Sequence, residues 1–334
     1  MAIRTDFTDD EKQAIAGQPV LVHLLGLLPA MGGMVCLALK WPSDHFAVTA
    51  ILTLITAYGM LCYTSCLHEA IHQTLFRRPR LNVSLGRLIG TPIFIPYTAY
   101  RETHIRHHAY LNTPDDWELW PYATPGASLA FRRVFVWLDL LLGLVTSAVI
   151  YGRIFFHPRS PLQSRELRRA IWYEYGLSVG FWTVLLTFLI WQDALGIFVR
   201  AWLVPALSSG TLQTGRKLTE HLGMASYDPL LGTRTVIGRS WFTRFCSLLN
   251  FDIFVHGPHH RYPRLPHAML ATKMQEHAAA QPETEFPVFP SYTRATLAMV
   301  RHVLVNPGCG VNAGADPPGR TRSSASDFAS DVLS

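Results

Sequence analysis

The sequence predicts an all-α integral membrane protein, with four transmembrane helices, interfacial helices and a histidine-rich cap on the cytoplasmic side. Three observations carry that prediction. Of its 334 residues, 49% are hydrophobic and only 16% charged, whereas soluble domains run nearer a quarter charged. The hydrophobicity gathers in runs of spanning length. Eight of the fifteen histidines fall in three short clusters, His68-Glu69-Ala70-Ile71-His72, His104-Ile105-Arg106-His107-His108 and His256-Gly257-Pro258-His259-His260.

Residues 1–19 are polar and form a cytoplasmic N-terminal segment. Thr8 and Glu11 fit a capping box. The acidic run Asp9-Asp10-Glu11 argues against a cleaved secretory signal, which begins basic. Residues 20–39 hold no charge. At about 1.5 Å per residue they cross the ~30 Å hydrocarbon core. Pro29, Gly32 and Gly33 within them predict a kink or a close helix contact. Residues 46–67 are a second spanning run, so a link at 40–45 turns the chain back and His68 emerges where the second helix leaves the membrane. Residues 73–100 start basic and turn apolar from 88, but Pro92 and Pro96 break the run, which predicts an interfacial or re-entrant segment. Residues 112–118 are a polar turn whose carboxylates, Asp115, Asp116 and Glu118, serve either as turn caps or as partners that orient ligand imidazoles.

Topology decides the next run. The second and third clusters share a centre only from one side of the membrane, so an even number of crossings separates them. Residues 173–191 and 194–212, around Gln192-Asp193, supply two. Residues 134–151, apolar but carrying Asp139, are then assigned to the interface. Arg77, Arg132, Arg133, Arg165, Arg168 and Arg169 lie on the histidine side, against Lys40 in the opposite links, so the clusters and both termini are expected in the cytoplasm. Arg200, inside the fourth span, must snorkel outward or face protein. From residue 306 the chain is rich in Gly, Ser, Pro and Asp. A disordered tail without a catalytic role is expected there, leaving 20–305 as the membrane domain.

The net charge of +6 fits arginine-rich cytoplasmic loops, and no clustered basic module points to a nucleic-acid partner. The five cysteines include no CxxC pair and predict neither disulfides nor metal ligation.

On a helix, HxxHH aims three imidazoles one way and HxxxH two. His23, His45, His157, His267, His277 and His302 stand alone and read as ordinary core or surface residues. Structural zinc takes four ligands and catalytic zinc usually three, so eight clustered histidines fit two metals. Imidazole suits zinc, copper, iron and nickel. Two irons share the electrons needed to split dioxygen and so to attack an unactivated C–H bond. Carboxylate-bridged di-iron proteins do this inside a helix bundle with Glu and Glu-x-x-His; here histidine replaces most of the Glu, and an apolar slot would take the substrate chain.

The three boxes HEAIH, HIRHH and HGPHH resemble those of the membrane fatty acid desaturases and their hydroxylase, ketolase and acetylenase relatives. Lys217-Leu218-Thr219-Glu220-His221 and Thr233-Arg234-Thr235-Val236 resemble the segment that precedes box three in bacterial-type members. The resemblance covers roughly residues 20–270. It implies a di-iron centre (Fe2+/Fe3+) ligated by His68, His72, His104, His107, His108, His256, His259 and His260, with His221 matching a further ligand. Glu69 and Glu220 adjoin ligands and are given supporting or structural roles. The resemblance also implies O2 as co-substrate, a membrane lipid or acyl substrate, and desaturation of adjacent methylenes; hydroxylation stays open. No HPGG of a fused cytochrome b5 is present, so electrons are expected from a separate ferredoxin- or cytochrome-type donor. Gly257 and Pro258 depart from a regular helix former and are expected to bend box three.

Two readings from other classes compete. HEAIH also matches HExxH, which would make Glu69 the general base of an intramembrane zinc protease and leave the other two boxes without a role. A metal transporter would want polar residues inside the crossing helices.

Overall fold

The structure, a computed structural model, describes residues 27–40 and 45–318; the predicted capping box at residues 8–11 and the first residues of the 20–39 run lie outside them. The described chain is mostly helical. One addition qualifies the all-α expectation: the two-residue strands Thr235–Val236 and Val288–Phe289 pair in parallel. The chain divides into two compact units. We call the one built from 27–40, 45–102 and 137–216 the apolar unit, and the one built from 103–136 and 217–318 the histidine unit.

Among the described residues, three helices are long and apolar enough to cross a membrane: Phe46–Ile71, Arg165–Trp191 and Leu195–His221. The first predicted span is described only as the shorter apolar helix Leu27–Leu39. Val184, Ile190 and Trp191 are exposed on their helix; this outward apolar surface is what lipid solvation permits. Two charged groups inside these helices are held by protein partners. Glu174 is buried and accepts from Arg87 Nε (2.8 Å), Thr98 N (2.8 Å) and Thr98 Oγ1 (2.8 Å), as an intramembrane carboxylate requires. Arg200 faces protein and donates to Thr49 Oγ1 at 3.0 Å from a π-helical stretch, Val199–Leu203.

Small residues set the helix contacts. Gly33 lies against Thr56, and a Cβ on Gly59 would stand 2.6 Å from Ala30 N, so the Leu27–Leu39 and Phe46–Ile71 helices approach closely where side chains are smallest. Gly59→Leu is therefore expected to cost about 1–3 kcal/mol through overpacking. Gly32→Leu, with nothing within 4 Å of its added Cβ, is the control, and the thermal midpoint of detergent-extracted protein reads both.

Residues 134–151, expected in the interface, form parts of two helices, Leu129–Leu141 and Gly143–Phe156. The break lets Gly143 press against the backbone of Gly210, and the buried Asp139 accepts across it from Thr146 Oγ1 at 2.6 Å.

In the histidine unit, Val236, Ile253, Phe254 and Ala295 make a small core. Residues 306–318, expected as the start of a disordered tail, carry structure instead. Gly308 O accepts from Gly223 N (2.7 Å), Cys309 N donates to Tyr122 O (3.0 Å), and Gly310 N donates to Met224 O (2.9 Å). Asn312 Nδ2 donates to the carbonyls of Tyr122 (2.9 Å) and Thr124 (3.0 Å). A 3-10 turn, Gly310–Ala313, follows, with Gly310 at φ +54°. Glycine and asparagine here are turn residues that strap the unit closed.

Candidate metal centre

Three helices of the chain carry the clustered histidines of this unit and His221. Box two lies in Tyr97–Ala109, His221 ends Leu195–His221, and box three is the short helix His256–Arg261. Box three is helical despite Gly257-Pro258. Pro258 falls in the first turn, where backbone N–H groups have no intrahelical acceptor, so its missing proton costs nothing there. His256 and His260 thus share a face, Nε2 to Nε2 at 3.0 Å.

The segment Thr233–Val236 joins these helices. The Arg234 guanidinium is buried and donates to the carbonyls of Thr219 (2.9 Å) and Leu222 (2.7 Å), closing the helix end that bears His221. Arg234 N also donates to Glu220 O at 2.8 Å. Burial lowers the Arg234 pKa to about 10, so it stays charged at neutral pH. Thr235 Oγ1 accepts from Gly257 N at 3.0 Å, and Val236 N donates to Phe254 O at 2.7 Å. One strand therefore sets both His221 and box three.

Oxygen acceptors stand at Nδ1 of four of the box-two and box-three rings. His104 Nδ1 meets Glu118 Oε2 at 2.9 Å, His107 Nδ1 meets Asp116 Oδ2 at 2.8 Å, His256 Nδ1 meets Ile253 O at 3.1 Å, and His108 Nδ1 meets His260 O at 3.4 Å. An acceptor at Nδ1 holds the ring proton there and leaves Nε2 as a lone pair for a metal. These Nε2 atoms converge: His104 on His108 at 3.1 Å, and His221 on His256 at 2.8 Å. Lone pairs at such separations repel until a cation lies among them, so the donor set fits bound metal. Burial and the neighbouring imidazoles push the His260 pKa well below its usual value, keeping the ring neutral as a ligand must be. For His107, burial acts downward, and the Asp116 carboxylate together with Glu118 and Glu220 outweighs it and raises the pKa. Burial pushes the Cys309 thiol up to about 12, so it is a donor to His221 O at 3.3 Å and no thiolate ligand.

The predicted residues fall as follows. In the histidine unit, His104, His108 and His259 offer ligand atoms within 4.8 Å of one another, as do His107, His221 and His260, and as do Glu220, His221 and His256. All are buried. His68 and His72 lie in the apolar unit at the end of Phe46–Ile71, buried, with rings edge to face at 4.7 Å. Glu69 holds His68 Nδ1 (3.2 Å) and accepts from Thr74 Oγ1 (2.6 Å). Asp116 and Glu118 are the orienting carboxylates, and Asp116 is also the turn cap, accepting from Asn112 N (3.2 Å) and Leu119 N (3.3 Å). Sequence reasoning missed the 306–312 strap and the closing role of Arg234.

The sequence profile of the family described as "Fatty acid desaturase" matches residues 44–292. Over 224 residues the chain is 25% identical to a Synechocystis sp. protein named sn-1 acyl-lipid omega-3 desaturase (ferredoxin), covering 61% of this chain and 60% of that one. It is 30% identical over 89 residues to a Bacillus subtilis fatty acid desaturase, 27% of this chain and 25% of that one. It is 23% identical over 256 residues to a Momordica charantia Delta(12) acyl-lipid conjugase (11E,13E-forming), 69% of this chain and 61% of that one. The chain thus spans about three fifths or less of the length of these relatives.

Proposed function

We propose that this chain, which belongs to the fatty acid desaturase family, is a membrane-bound di-iron oxidoreductase that introduces a double bond into a fatty acyl chain using O2. The observation that carries the reading is the set of buried imidazoles whose Nδ1 protons are held by oxygen while their Nε2 lone pairs converge. His68, His72, His104, His107, His108, His221, His256, His259 and His260 would hold the two irons; within the histidine unit, His104, His108 and His259 gather as one set and His107, His221, His256 and His260 as the other. Bound iron supplies the redox chemistry: O2 takes two hydrogens from adjacent methylenes, with two electrons from a donor and two protons, to give one double bond and two waters. The chain's own contribution is orientation and exclusion of water. Asp116 and Glu118 keep two rings in the ligand tautomer, and the burial of all nine histidines shields the reacting carbons.

The acyl chain has a place to lie in the apolar unit. A cavity of about 290 Å3 is lined by Met31, Met34, Met60, Tyr63, Ile93 and Trp202, among others. That is roughly the volume of ten waters, and methionine walls adapt to a flexible chain. Met60→Trp fills it and is expected to reduce turnover of the longest acyl chains at least about tenfold, the scale that one misfit in an apolar pocket produces. Gas chromatography of the cellular fatty acids checks this. An unchanged chain-length profile would place the acyl chain elsewhere.

The ferredoxin named in the Synechocystis relative supports a ferredoxin- or cytochrome-type donor; the bias of arginine toward the histidine side supports boxes and termini in the cytoplasm. A second reading, conjugation at the same metal site, has support in the Momordica relative's name, and hydroxylation is the third outcome that the same experiment reads. Expression in a host that lacks the product decides between them. New isolated double bonds support desaturation, conjugated dienes support conjugation, hydroxylated esters move the reaction while keeping the site, and absence of any new product from an iron-loaded protein contradicts all three.

A further inference from the structure

We infer that Glu220 is itself a metal ligand, so that the second iron has mixed carboxylate and imidazole coordination while the first is held by imidazole alone. This rests on the di-iron reading above and goes beyond its all-histidine ligand set. The two other carboxylates beside these rings, Asp116 and Glu118, meet Nδ1, the side away from the converging nitrogens. Glu220 meets the opposite side. Its Oε2 is 3.5 Å from His256 Nε2, and its ligand oxygen lies within 4.8 Å of the ligand atoms of both His221 and His256. His256 Nδ1 faces the carbonyl of Ile253, so Nε2 turns a lone pair, not a proton, toward the carboxylate. His221 Nε2 and His260 Nε2 stand 2.8 Å and 3.0 Å from that same atom. Three nitrogens and an anionic oxygen thus surround one small volume. A proton shared by one pair leaves the others in repulsion, whereas one divalent cation satisfies all four.

Placement in the chain adds a second argument. Glu220 is 1% exposed and is the penultimate residue of Leu195–His221, at the helix end where the macrodipole opposes negative charge. A cation beside a buried carboxylate offsets both its burial and the unfavourable helix end. A hard oxygen donor on one iron and none on the other would make the two metals inequivalent, the oxygen-bound one favouring the ferric state.

The test uses full-length protein purified in detergent and loaded anaerobically with 57Fe(II), with iron counted per chain and Mössbauer spectra recorded. Wild type is expected to hold about two irons in two quadrupole doublets of equal area. Glu220→Gln, similar in shape but uncharged, is expected to weaken one iron at least about 100-fold, beyond the range of merely supporting residues, and to lose the doublet that His107→Ala also loses. Glu220→Gln with both irons and both doublets unchanged overturns the inference and leaves the di-iron reading intact. Wild type without iron overturns the di-iron reading, and this inference with it. If Glu220→Gln does not accumulate, Glu220→Asp keeps the carboxylate one methylene shorter and should change the splitting of one doublet only; two unchanged splittings overturn the assignment.

Discussion

The double variant His107→Ala, His108→Ala should lose product formation by at least about three orders of magnitude, well beyond the 10–100-fold cost of losing a supporting partner. Their adjacent positions on Tyr97–Ala109 place the two rings in different donor groups. His107 groups with His221 and His260, and His108 with His104 and His259. Removing both takes one nitrogen from each proposed iron, so iron content should fall below one per chain. Asp116→Asn is the graded comparison. It leaves the His107 ring in place and removes the anionic acceptor at 2.8 Å, so activity should fall about 10–100-fold, with iron weakened by the same factor. The two variants measured side by side, for acyl products and iron, separate ligation from orientation. Equal losses in both would mean that Asp116 does more than hold a ring.

Arg234→Met should lower stability by about 3–5 kcal/mol, because it deletes two charge-assisted hydrogen bonds and strands two buried carbonyls. Those carbonyls, on Thr219 and Leu222, flank Glu220 and His221. The same change should therefore loosen the second metal more than the first. The thermal midpoint of the purified protein and its iron content check this together. A midpoint unchanged from wild type would mean that water replaces the guanidinium at no cost, and the helix end would then have another anchor.

Legibility followed the range of the interaction. The boxes could be read because i, i+3 and i+4 spacing is local: once residues 104–108 are helical, three imidazoles must share a side. Asp116 and Glu118 lie 9 and 14 residues from the rings they hold, near enough to suspect, yet the same residues make good turn caps, and Asp116 is both. Arg234 could not be given its role from sequence, since its carbonyl partners are 15 and 12 residues away around a loop. The strap at 306–312 was hidden by composition, because glycine, proline and asparagine mark disorder and tight turns alike. The break at residue 142 escaped because apolar content runs through it, and only the packing of Gly143 on Gly210 explains it. Box three stayed helical because proline's penalty depends on its position in the helix.

Metal analysis of the purified wild-type protein, expressed without supplementing any one metal and assayed for iron and zinc, tests the central claim most directly. The account predicts about two irons per chain, as the two proposed ligand sets require, and little zinc. One zinc per chain with no iron would contradict it, and would bring forward the reading in which His68, Glu69 and His72 form a zinc-protease motif.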